Sequence, residues 1–232
     1  MNAPLNTPLK TARRAGILYL VIAIVGVFAI AYVPSRIIIT GDAPATFANL
    51  QAHAGLFRAG ILADIVVIVL EIELTAALYY LMRPVNPIGS MIAAMARYGM
   101  VLVMLVNVLL NITAFAMASG AMRGAPETVM TLLDIHATGI QLWGVLFGYH
   151  LFALGALICR SGYLPRWLGG ALVVGAFGYV IEGLSHITGF ELPALSVLAI
   201  GLLTLVTIAE IGFALWLLIK GLDEAKWRLA AG

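Results

Sequence analysis

Charged side chains are scarce in this chain. Asp, Glu, Lys and Arg make up 10% of its 232 residues and hydrophobic residues 62%, where a soluble domain has about a quarter charged and about half apolar. Together with a mean hydropathy of +1.05, that scarcity excludes a water-soluble globule and predicts an integral membrane protein. An excess of one sign is lacking too. Thirteen basic against eleven acidic residues leave +2, too little and too scattered for a nucleic-acid footprint, so no nucleic-acid partner is expected. The single cysteine, Cys159, can form no intramolecular disulfide and belongs to no CxxC; it reads as a structural thiol. Walker, HExxH, GxSxG and CxxCH motifs are absent, so no enzyme class declares itself.

What the chain has instead is long apolar runs. Six approach or exceed the ~20 residues that cross a bilayer: 15–33, 59–82, 88–118, 129–158, 167–187 and 193–219. The expectation is an all-α membrane bundle of six transmembrane helices in one domain, 1–232, in contact with the lipid bilayer. Spans three and four are long enough to tilt, to protrude or to contain a break near Gly120 or Gly139. Turn formers fill the connectors RPVNP, SGAMRGAP, RSGYLPR and ITGFELP. Between the spans, Lys10, Arg13, Arg14, Arg83, Arg160, Arg166, Lys220, Lys226 and Arg228 fall on one side, and Arg36, Arg58 and Arg123 on the other. The positive-inside rule then predicts a cytoplasmic (inner) membrane protein with two cytoplasmic tails, 1–14 and 221–232, and with Asp42, Arg123 and Glu191 outside. A competing reading treats the first run as a signal peptide cleaved after AIA at 29–31, which leaves five spans.

After span one, GDAPATFANLQAHAGLF offers Asp42 as an N-cap and Phe47, Leu50, Ala54 and Phe57 at helical spacing. This predicts a short external helix, either interfacial on the bilayer or folded over the bundle, with His53 solvated. SGYLPRWLGG at 161–170 reads as an anchor at the cytoplasmic edge, where aromatic rings and Arg favour the headgroups.

FRAGILADIVV with YYLMRPVN, then LLDIHATGIQLWGVLFGYHLFALGALICRSGYLPRWLG, then EIGFALWLLIKG, resemble the bacterial multi-pass membrane family known as domain of unknown function 4386. The likeness runs from about Arg14 to Gly221, with DIH at 134–136, GYH at 148–150 and SGYLPR at 161–166 as its most specific parts. It implies a six-span architecture and no activity, so function rests on the polar residues inside the spans.

Depth follows from counting at ~1.5 Å per residue. Glu71 and Glu73 on span two and Arg97 on span three lie at one level from the cytoplasmic end, and an unpaired charge in hydrocarbon costs at least ~2.5 kcal/mol. Arg97 is therefore expected to pair with one glutamate, preferably Glu71, while the other finds a different helix, water or a proton. His150 and Glu210 complete this buried charge layer. Asp64, Asn107, Asn111, Asp134, His136, Glu182 and His186 share an outer level and predict a polar ligand pocket open to the outside. Glu182 and His186, at i and i+4, could hold a metal such as zinc with His136 and Asp134 or Asp64. The plainer readings are interhelical amides for Asn107 and Asn111, a hydrogen-bonded core histidine for His150, and polar side chains reaching water at the end of span five. Three functions stay open: a protein that binds or conducts a small molecule, ion or proton, an intramembrane metal-dependent hydrolase, and a structural assembly partner.

Overall fold

The computed structural model describes residues 7–190 and 192–232. Glu191 and residues 1–6 of the N-terminal tail, which the charge pattern assigns to a side of the membrane, lie outside the described residues. Among these, the chain forms nine α-helices, one π turn and no strand: α1 Pro8–Val27, a π turn Phe28–Tyr32, α2 Val33–Ile37, α3 Ala43–Ala52, α4 Ala54–Met82, α5 Pro87–Ala118, α6 Pro126–Ser161, α7 Arg166–Thr188, α8 Pro193–Ile219 and α9 Glu224–Ala231. The fold is all-α.

Local chemistry sets the ends of these helices. Pro occupies the first turn of α1, α5, α6 and α8, where its missing N–H costs nothing, and Thr7 and Asn86 cap the first and second of these through their side chains. Gly162 and Gly189 stop α6 and α7 at φ +71° and +67°, a left-handed conformation that glycine adopts without a Cβ penalty. No break occurs at Gly139, which lies inside the unbroken α6, and Gly120 follows the end of α5. The two long helices measure about 48 and 54 Å at 1.5 Å per residue, so they exceed the ~30 Å hydrocarbon core.

Helices α1, α4, α5, α6, α7 and α8 pack in chain order, each on the next, and α8 returns to α1. The result is a closed ring. Among the described residues five segments are long and apolar enough to cross a membrane: 8–37, 87–118, 126–161, 166–188 and 193–219. The chain is thus a multi-pass membrane protein, but length and composition support five crossings where six are expected. The remaining ring member, α4, has 29 residues and carries Arg58, Asp64, Glu71 and Glu73.

The tightest seam runs between α6 and α7. An added Cβ at Gly155 would meet the Gly169 carbonyl oxygen at 2.6 Å, one at Gly169 the Gly155 oxygen at 2.7 Å, and one at Gly148 the Ala176 oxygen at 2.8 Å. Small residues let two backbones touch where lipid offers no hydrophobic drive between helices. On its other face α7 brings Gly175 against Val206 and Gly178 against Leu203 of α8.

At the end of the bundle that holds α2, α3 begins at its Asp42 cap, as expected, and folds over the bundle with Thr46 and Leu50 fully buried. Leu50 joins Val33, Ile37, Phe57, Ala114, Val129 and Leu133 in an apolar cluster that ties together α2, α3, α4, α5 and α6. At the other end the stretch 221–232 is more than a tail. Its α9 docks through Trp227, whose indole donates to the Leu81 carbonyl at 3.0 Å, and the Tyr163 hydroxyl donates to the same oxygen at 2.6 Å.

Candidate functional site

Arg97 is 1% exposed and hydrogen-bonded through Nε and Nη1. Its Nε donates to Glu71 Oε2 at 2.7 Å, and its Nη1 donates to the Tyr19 hydroxyl at 3.1 Å and to His150 Nε2 at 3.0 Å. The guanidinium lies over the rings of Tyr19 and Phe147, at 4.9 and 5.5 Å from their centroids, where cation–π attraction adds to the ion pair. Guanidinium nitrogens only donate, so His150 Nε2 accepts; His150 Nδ1 then donates to the Ala93 carbonyl at 2.8 Å. Helices α1, α4, α5 and α6 meet in this cluster.

Above the Arg97 cluster a cavity of about 350 Å³ occupies the middle of the ring, and every ring helix lines it. Asp64 and Glu71 come from α4, Arg97 and Asn107 from α5, His136, Trp143 and Phe147 from α6, Tyr179 from α7, and Thr207 and Glu210 from α8. Three residues of the expected outer set, Asp64, Asn107 and His136, thus line the same chamber as three of the expected inner set, Glu71, Arg97 and Glu210. Its remaining wall is aliphatic, from Leu20 and Val27 of α1 to Ile140 of α6 and Ile211 of α8. Below the cluster lies a space of about 10 Å³ bordered by Thr75, Tyr79, Ser90 and His150, room for about one water.

Several expected site residues lie elsewhere. Glu73 does not belong to the buried charge layer: it is half exposed and pairs with Arg14 at 2.5 Å, because two positions along α4 turn it about 200° from Glu71. Asp134, Glu182 and His186 are exposed and absent from the cavity wall. Asp134 sits two residues from His136 and so faces away from it. Among the described residues no three His, Cys, Asp or Glu side chains are arranged to hold a metal ion, so the expected set of Asp134, His136, Glu182 and His186 is not assembled. Asn111 is buried but does not line the chamber. Asn107 does, wedged against Gly139 of α6, where any Cβ would overlap its amide.

Sequence reasoning missed the aromatic wall. Trp143 and Phe147 stack at 4.9 Å between centroids, and Tyr179 meets them edge-on at 6.0 and 5.2 Å. The Trp143 indole N–H is buried with no acceptor among the described residues. A signal was present: His136, Ile140, Trp143, Phe147 and His150 follow 4-3-4-3 spacing, one stripe of a helix.

No solved structure matches the chain. An uncharacterized protein of Archaeoglobus fulgidus is 32% identical over 157 residues, 67% of this chain and 79% of that protein. Residues 14–221 match the family described as Domain of unknown function (DUF4386), and the chain belongs to that family.

Proposed function

We propose that this protein binds a small molecule inside the membrane, in the chamber enclosed by its helix ring. One observation carries the reading: each of the six ring helices turns at least one polar side chain into a single cavity, with the rest of its wall apolar. Binding sites for small ligands have this character, an apolar wall with a few convergent polar groups. In the same reading α4 is the sixth crossing. Its position between α1 and α5 in the ring supports this, and its Asp64 and Glu71 turn into the chamber instead of toward lipid. Both termini lie in the cytoplasm and the membrane is the inner one, as the distribution of Lys and Arg supports. Passage through the molecule would need the Arg97 cluster to open, since it separates the chamber from the small space near Ser90.

Gly26 provides the test. It lines the chamber, and a Cβ added there meets nothing within 4 Å, so Gly26→Phe fills the space without a clash at the backbone. Native mass spectrometry of the protein purified in mild detergent is expected to show a co-purifying small molecule on the wild type. Gly26→Phe is expected to lose it at an unchanged thermal midpoint. Equal adducts on both proteins, or none on either, defeat the reading.

A further inference from the structure

We infer that the chamber takes a lipophilic organic cation, and that this ligand enters sideways from the bilayer between α1 and α8. The inference rests on the binding function proposed above and adds charge class and route.

Charge comes first. Three carboxyl groups, Asp64, Glu71 and Glu210, line the chamber with one guanidinium, and Arg97 is held by Glu71 at 2.7 Å. Asp64 and Glu210 form no ion pair among the described residues. A carboxylate in a low-dielectric site needs a positive charge or a proton, and an organic cation supplies the first to both. An anion would meet two carboxyl groups without an ion pair and an arginine already paired with Glu71.

The aromatic wall selects in the same direction. Arg97 takes the faces of Tyr19 and Phe147, which leaves Trp143 and Tyr179 beside Glu210 for the ligand. Aromatic faces with a nearby carboxylate suit an ammonium group. Trp143 also has its buried N–H to offer, which fits an oxygen carried by the same molecule. The aliphatic remainder of the wall suits an apolar body.

The route follows from how the ring closes. At the Arg97 level and below, α1 and α8 touch: a Cβ on Gly16 would meet the Ala214 oxygen at 2.6 Å, and Tyr19 meets Phe213 edge-on at 6.1 Å. Further out, the π turn and α2 lean on α4, with Val33 seated against Gly60 at 3.1 Å from its Cβ position. Ala23, Val27 and Ile30 on one rim and Thr207 and Ile211 on the other both line the chamber and are exposed. The apolar cluster around Leu50 covers the α4–α6 side of the outer end. An apolar rim that faces lipid admits a bilayer-dissolved molecule more readily than a water-borne one.

Tetraphenylphosphonium and tetraphenylborate have one shape and opposite charge, and they are the probes. Binding is measured in lipid nanodiscs carrying the protein, with empty nanodiscs subtracted. The expected result is at least tenfold tighter binding of the cation, weakened at least tenfold by Asp64→Asn or Glu210→Gln at unchanged thermal midpoints. Val27→Trp, placed on the rim, is expected to slow cation binding at least fivefold with little change in affinity. Tetraphenylborate bound as tightly and displaced by Gly26→Phe would overturn the cation while the binding function stands. Cation binding indifferent to both carboxyl variants overturns the charge assignment, and an unchanged rate in Val27→Trp overturns the route. If neither ion binds, the inference falls, and the co-purification experiment decides the binding function separately.

Discussion

Arg97 and Arg14 each pair with a glutamate of α4, yet the two pairs differ in what surrounds them. The Arg97–Glu71 pair is nearly inaccessible, at 1% and 4% side-chain exposure, whereas Arg14–Glu73 stands at 60% and 42%. Removing one member of a buried pair leaves the other charge without compensation, typically at a cost of about 3–5 kcal/mol. Arg97→Ala and Glu71→Ala are therefore expected to lose stability on that order in detergent, seen as a large drop in thermal midpoint. Glu73→Ala is expected to stay within about 1 kcal/mol of wild type. Equal effects at positions 71 and 73 would contradict the geometry. That Arg97 pairs with a glutamate was legible from depth counting alone. That Glu73 meets α1 was not, because nothing in a two-residue offset says which neighbour stands on the far side of the helix.

Helices are the scale at which small residues and caps act. On α6 and α7 the carbonyl of Gly155 and that of Gly169 each fill the space a Cβ would need on the other. Gly155→Val must push the two backbones apart, with an expected loss of at least the ~1–3 kcal/mol usual for overpacking, measurable as a lowered thermal midpoint. Gly170→Ala, where a Cβ meets nothing within 4 Å, is the control and should be neutral or stabilising. Helix α9 responds to pH. Asp223 accepts a hydrogen bond from the backbone N–H of Lys226 and pairs with its side chain, which holds the Asp223 carboxyl below its ordinary value. A lowered native value means the cap is fully effective above the ordinary aspartate range, near pH ~4, and is lost as pH falls below it. Trp227 emission, isolated by subtracting a Trp227→Phe variant, is expected to change as pH falls through that window. In Asp223→Asn, which retains a capping side chain but cannot titrate, this change should vanish.

For the whole molecule, the proposed orientation places Lys10 and Leu229 in the cytoplasm and Gly41 and Arg123 outside. Single cysteines at these four positions in a Cys159→Ser background test it with an impermeant thiol reagent on intact cells. Labelling is expected at positions 41 and 123 only, and labelling at 10 or 229 would reverse or break the assignment. Because α4 crosses in this scheme, positions 41 and 123 must share a side, so the same experiment tests the sixth span.

The amino-acid sequence by itself determined the solvent of this protein, the approximate extents of its long helices and the Asp42 cap, since composition, run length and capping chemistry are local properties. Tertiary structure decided which side chains meet. Asp134, Glu182 and His186 do not line the cavity that His136 lines, and Trp143, Phe147 and Tyr179 come together only where the ring closes around them. The physical reason is that helical periodicity fixes angles within one helix and leaves its rotation against its neighbours free. In a soluble helix the contrast between polar and apolar faces sets that rotation. In a bilayer, lipid and protein core are both apolar, so contacts between backbones, such as those at Gly16 and Gly155, set it instead.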